Sequence, residues 1–214
     1  MSQIWSERAQ LYRDSEAHRE GEDLDLIVEW AGEASGRRAL DVATGGGHVA
    51  RRLREASFDV VSSDPAPGME PDVVARAEEL PFDDGSFDVV ACRVAAHHFE
   101  DVLRAVVEMA RVTSSLVLVA DNLNLGVVVE EAERLRDPTH VRCLTEAEWR
   151  DILATAGLEV EDVGIFDKRI EVAGWLERAG CDGERAARVR ELLADRIEDG
   201  RVVLSRIVLK GRKA

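Results

Sequence analysis

One stretch, LDVATGGGHVA (40–50), constrains this chain more than any other. An apolar run ends in an acid, three glycines follow, and a helical pattern begins at His48. Glycine lets a chain turn sharply and lets a ligand approach its backbone. The helix start that follows offers free N–H groups and a partial positive charge. Strand, glycine turn and helix together open an α/β layer. Gly45, Gly47 and Ala50 also satisfy a degenerate G-x-G-x-x-A fingerprint. By itself, then, the loop leaves open a dinucleotide, another nucleoside, or a turn with no ligand.

The rest of the chain alternates in the same way. Apolar runs predict strands at 37–43, 57–64, 72–77, 87–92, 115–121, 158–166 and 201–210. Helical spacing falls at 48–56 and 100–111, and Thr145 with Glu148 makes a capping box for a helix that Gly157 ends. Such alternation predicts a mostly parallel sheet wrapped by helices. With 214 residues and neither repeat nor linker, a single domain over 1–214 is expected. Two stretches are candidates to fold over a site. Residues 1–31 form a lid, helical in the second half of 6–31, where Leu24, Ile27 and Val28 share a face. Residues 171–198 carry two helical patterns between the last two strands, long enough for a cap.

Charge and cysteine usage narrow the partners. A net charge of −15 repels a phosphate backbone, so nucleic acid is not expected as a partner. Cys92, Cys143 and Cys181 form no pair, which suits a reducing cytoplasm. Neither a signal peptide nor a membrane-spanning apolar run is apparent. His140 and Cys143 lie three apart, but two ligands do not make a metal site, and none is expected.

AEELPFDDGSFDVVACRVAAHHF (77–99) discriminates among the nucleoside folds. It resembles the third and fourth motifs of the class I S-adenosylmethionine-dependent methyltransferases, in their methyltransferase type 11 branch, and LDVATGGGHVA matches that branch's first motif. The branch includes the ubiquinone and menaquinone C-methyltransferases. The chain is similar in particular to uncharacterised bacterial members with an ATGGGH loop and a CRxAAHHF segment. YRDSEAHREGEDLDL (12–26), Asp121–Asn122, LRDPTHVR (135–142) and EDGRV (198–202) extend the resemblance over most of the chain.

The resemblance implies an α/β, Rossmann-like, seven-stranded sheet of order 3-2-1-4-5-7-6, its seventh strand antiparallel. It also implies S-adenosylmethionine at the C-terminal strand ends. Asp41, Thr44, Gly45 and Gly47 would hold its methionine part and Asp64 its ribose. Ala77 and Glu78 would line the adenine, Cys92 and Arg93 the methionine tail, and Tyr12, Ser15 and His18 would close the lid. His97 and His98 follow the fourth strand, where this fold presents its methyl acceptor. Histidine titrates near neutrality and can take a proton. Neighbours on a helix point about 100° apart, so one of the two is expected to face the pocket. The implied activity is methyl transfer to a small-molecule acceptor, with a homodimer as the candidate assembly. A methyltransferase-like binding protein without turnover is the alternative. A NAD-dependent oxidoreductase leaves ELPFDDGSFDVV and AAHHF unexplained. Trp5, Trp149 and Trp175 are candidates for pocket wall or core.

Three departures from the family pattern stand out. PAPGMEP (65–71) holds three prolines where relatives have a helix that walls the adenine. Arg76 stands where many relatives have an Asp for the adenine amino group, and arginine has donors only. The turn after Arg111, VTSS, replaces a longer glycine-containing loop.

Overall fold

The computed structural model describes residues 2–213. In chain order the helices are α1 (Ser2–Arg13), α2 (Glu16–Arg19), α3 (Glu22–Ala31), α4 (His48–Glu55), α5 (Val102–Val112), α6 (Val127–Arg136), α7 (Glu146–Thr155), α8 (Val172–Arg178) and α9 (Gly183–Leu192). The strands are β1 (Arg38–Val42), β2 (Asp59–Asp64), β3 (Val73–Val74), β4 (Phe87–Arg93), β5 (Thr113–Asn122), β6 (Leu158–Glu171), β7 (Ile197–Glu198) and β8 (Arg201–Lys213).

Side chains alternate across a strand, so a run apolar at every position must be covered on both faces. Leu40, Val90, Val117 and Val119 point one way, onto Met109 of α5 and Trp149 and Leu153 of α7. Ala39, Val89, Ala91 and Leu118 point the other way, onto Leu24 and Ile27 of α3 and Val49 and Leu53 of α4. Trp149 is thus core rather than pocket wall. The strands run in the order β3-β2-β1-β4-β5-β8-β6, with β7 pairing on β8. The pairings from β3 through β5 are parallel, and β8 is antiparallel to both β5 and β6. This is the Rossmann-like methyltransferase order, β8 standing as its seventh strand.

Several boundaries depart from the sequence expectations. α1 makes the first half of the N-terminal stretch helical too, and α6 lies where no helix was expected. β3 is only two residues long. α5 runs straight into β5, with the Thr113 hydroxyl donating to the Leu116 carbonyl at 3.0 Å in place of a loop. β6 continues to Glu171, which pairs with Arg201, whereas β5 stops at Asn122 opposite Arg206. The β6–β8 ribbon therefore projects past the C-terminal ends of the parallel strands. On the projection, α6, α8 and α9 build a second core from Val129, Trp175, Leu176, Val189, Val202 and Leu204. That places 171–198 above the C-terminal strand ends. Among the described residues no helix is long and apolar enough to cross a membrane.

Candidate functional site

β1 delivers Asp41 to the sheet's C-terminal end, and the chain then turns through Ala43, Gly45 and Gly47, all at positive φ (54°, 51° and 74°). Asp41 Oδ2 accepts from the Thr44 hydroxyl at 2.5 Å and from the Ala50 N–H at 3.0 Å. Burial pushes its carboxyl up to about 6, against the pull of those two hydrogen bonds, and the nearby charge of Asp64 adds to the rise. Asp64, at the end of β2, accepts from the Gly45 N–H at 3.0 Å and the Ala66 N–H at 2.9 Å. Burial raises its pKa as well. A β-carbon on Gly45 would meet nothing within 4 Å, so the loop borders open space.

That space is a cavity of about 400 Å³. Asp41, Thr44, Gly45 and Asp64 line one side of it; Ala77, Glu78, Arg93, Tyr12, His18 and His98 line the rest. Three expected residues lie elsewhere. Gly47 is the left-handed N-cap of α4; it turns the chain and does not face the cavity. Cys92 is fully buried in the core, because β4 alternates and its neighbour Arg93 takes the open side. Ser15 is buried beside the lid, its hydroxyl 2.8 Å from His18 Nδ1.

The proline-rich stretch after β2 forms only a single 3₁₀ turn, Pro67–Met69. α1 packs on that turn. The Gly68 N–H donates to the Ser6 hydroxyl at 3.1 Å, and Arg13 donates to the Gly68 carbonyl at 3.0 Å. A β-carbon on Gly68 would lie 2.6 Å from the Ser6 Cα. Trp5 and Tyr12 pack with Ala9, Ala66 and Met69, and Trp5 lines the cavity. Arg76 is neutralised by Glu100 at 3.0 Å and Glu78 at 3.4 Å, so it brings no unpaired cation to the cavity.

Residues missed in the sequence tie the lid down. His48 Nε2 lies 3.0 Å from the Tyr12 carbonyl oxygen, and a β-carbon on Gly46 would be 2.8 Å from that oxygen. Asp23 of α3 is fully buried and binds Arg93 at 2.7 Å and Arg206 at 2.8 Å. Burial alone would raise its pKa, but Arg206 and Arg93 outweigh it and hold the carboxylate far below the usual range. Arg93 also donates to the His18 carbonyl at 2.8 Å, leaving its Nη2 without a partner. The only signs in the sequence were an acid beside an apolar helical face and an arginine inside an apolar strand.

The two histidines separate by environment. Val94 holds φ at 56°, a strained value for a β-branched residue, and turns β4 into the 3₁₀ turn Ala96–His98. His97 is buried, with Nδ1 2.5 Å from Asp121 Oδ1 and its N–H donating to Asp121 Oδ2 at 2.8 Å. Burial pulls its pKa down, but the charge and hydrogen bond of Asp121 outweigh it and raise it. His97 does not line the main cavity; its side chain is committed to Asp121. His98 does line it. Its Nδ1 lies 3.1 Å from the Thr139 carbonyl, a partner that assigns the proton to Nδ1 and leaves the Nε2 lone pair free. Burial, then the neighbouring His97 charge, hold His98 well below the usual histidine range.

Glu130, His140 and Cys143 bring one ligand atom each within 4.8 Å of one another. Glu130 comes from the unanticipated α6. Its carboxylate already accepts from the Cys143 N–H at 3.1 Å and lies 3.3 Å from His140 Nε2. Burial drives the Cys143 thiol far up, so it stays protonated. The cluster is a buried polar network linking α6 to the 137–144 loop.

Comparison with known proteins fits this arrangement. The family model described as "Methyltransferase domain" matches residues 40–118. The uncharacterized methyltransferase YcgJ of Bacillus subtilis is 33% identical over 207 residues, covering 86% of this chain and 82% of that protein. Its crystal structure superposes with a TM-score of 0.80 over 89% of this chain and 97% of that one, at 27% identity. A putative methyltransferase from Bacillus halodurans superposes with a TM-score of 0.79 at 30% identity, over 90% of this chain and 99% of that one. A demethylmenaquinone methyltransferase of Renibacterium salmoninarum is 36% identical over 98 residues, 41% of each chain. With its sheet order, its glycine loop and relatives that span most of its length, the chain belongs to the class I S-adenosylmethionine-dependent methyltransferase family, in the methyltransferase type 11 branch.

Proposed function

We propose that the chain transfers a methyl group from S-adenosylmethionine to a small-molecule nucleophile. One observation carries this reading: Asp41, Asp64 and Glu78 share a cavity with Arg93 and with the neutral ring of His98. The donor set fits the cofactor. A ribose diol, an adenine amino group and an ammonium group are hydrogen-bond donors, and three carboxylates line the wall to accept them. Arg93 Nη2, buried and without a partner, suits the cofactor's carboxylate. Open space at Gly45 lets a ligand approach the backbone.

When bound, the cofactor supplies a sulfonium-activated methyl group, whose transfer leaves S-adenosylhomocysteine. Asp41 holds the ammonium group and Asp64 the ribose, while Glu78 faces the adenine side. Trp5, carried by α1, and Met69 of the 3₁₀ turn exclude water from that end. His98 Nε2 takes the acceptor's proton as the new bond to the methyl carbon forms. His97 and Asp121 fix the turn that aims His98. Alignment and exclusion of water supply the remainder of the rate. Three buried, unpaired cysteines support a reducing, cytoplasmic setting.

Calorimetric titration of S-adenosylmethionine into Asp41→Ala and Asp64→Ala tests this reading. Each variant is expected to bind about 1–3 kcal/mol more weakly, the usual loss for a charged hydrogen-bond partner. Wild-type affinity in both variants contradicts it.

A further inference from the structure

A smaller chamber of about 40 Å³ adjoins the main cavity, and Tyr12, His18, Val94 and His98 line both. Its other walls carry Arg136, Lys168, Arg178 and Arg206, and among the described residues no Asp or Glu lines it. In a chain of net charge −15 that is a local reversal of sign. Ion pairs account for two of the four cations. Arg136 binds Glu133 at 2.9 Å, and Arg206 binds Asp23 at 2.8 Å. Asp23 is itself shared with Arg93, and Arg206 Nε is buried with no partner. Among the described residues Lys168 donates only to the Glu20 carbonyl, at 3.3 Å. Arg178 has no hydrogen bond or ion pair among the described residues, and its guanidinium passes 3.5 Å from the β-carbon position of Gly174. Burial depresses the pKa of both Lys168 and Arg178, as it does for cations short of counter-charge.

We propose that this chamber binds the carboxylate of the methyl acceptor, so that the substrate is a small carboxylic acid gripped by Arg178 and Lys168. The proposal rests on the methyl-transfer reading above. The nucleophilic end of the acid then reaches past Tyr12 to His98 and the main cavity. Guanidinium and carboxylate match as planar forks, and Ile170 and Trp175 give the adjoining carbons of an organic acid an apolar wall.

The test is calorimetric titration of benzoate, benzamide and inorganic phosphate into the full chain, both alone and saturated with S-adenosylhomocysteine. Benzoate is expected to bind at least about tenfold more tightly than its neutral isostere benzamide, a gap of ~1.4 kcal/mol, and more tightly than phosphate. Arg178→Gln and Lys168→Gln should each weaken benzoate by about tenfold, Arg178→Lys should weaken it less, and S-adenosylhomocysteine affinity should stay at the wild-type value in all three. Equal binding of benzoate and benzamide overturns the proposal, as does wild-type benzoate affinity in both glutamine variants. Tighter phosphate than benzoate overturns the assignment to a carboxylate. Failure of S-adenosylhomocysteine to bind the wild-type chain defeats the methyl-transfer reading instead, and the titration without it still reports on the chamber.

Discussion

Asp41 is a carboxylate placed where ionisation is costly. Its folded pKa, pushed up to about 6 by burial, lies above the unfolded value of about 3.9. The folded state therefore binds the proton more tightly, and stability falls as pH rises between those two values. Above pH 7 the loss is about 2–3 kcal/mol; at pH 4 it is about 0.5. Asp41→Asn keeps an oxygen for Thr44 and Ala50, and it is expected to raise stability by about 2 kcal/mol at pH 7.5 while shrinking toward zero at pH 4. Urea unfolding at both pH values checks this, and a gain independent of pH refutes it. The histidine pair makes a second prediction. His98 should remain neutral well below pH 6.5 while His97 stays charged, as read from side-chain NMR titration. His97→Gln should move the His98 midpoint upward, because it removes a neighbouring positive charge; an unmoved midpoint contradicts the coupling. At this scale the sequence showed which residues gather but not how they are wired. Asp41, Asp64, Glu78 and Arg93 were legible because motif positions set strand ends. Asp23, Arg206 and His48 were not, since partners 70 or 183 positions apart leave no local pattern.

Among the elements, α1 packs on the 3₁₀ turn that follows β2. It escaped detection because only Trp5, Ala9 and Tyr12 make its inward stripe, too sparse for a periodic signal. α6 escaped for the opposite reason. It opens with Val127, Val128 and Val129, a β-branched run, and turns Glu130 and Glu133 inward, where acids are rare. β3 was overextended because 72–77 is mostly apolar, yet the chain turns at 76–79 and Arg76, Ala77 and Glu78 line the cavity. The packing of α1 on the 3₁₀ turn yields a prediction. Gly68→Ala puts a β-carbon against the Ser6 backbone, and overpacking of that kind costs about 1–3 kcal/mol. S-adenosylmethionine affinity is expected to fall about tenfold with far-UV circular dichroism unchanged. Wild-type affinity in that variant means that α1 is not the adenine wall.

For the whole molecule, order of elements and sheet topology were the most legible features. Central strands apolar at every position demand helices on both faces, and few connections satisfy that demand. The strand order reverses between β1 and β4, and a crevice opens at such a switch point. What binds there decides the class of protein. Calorimetry on the full chain with S-adenosylmethionine, S-adenosylhomocysteine and NAD, under one set of conditions, measures it directly. Both sulfur compounds are expected to bind one to one with affinity that declines as pH falls through about 6, where Asp41 takes up its proton, and NAD is expected not to bind. Saturable NAD binding with no heat from either sulfur compound contradicts the account.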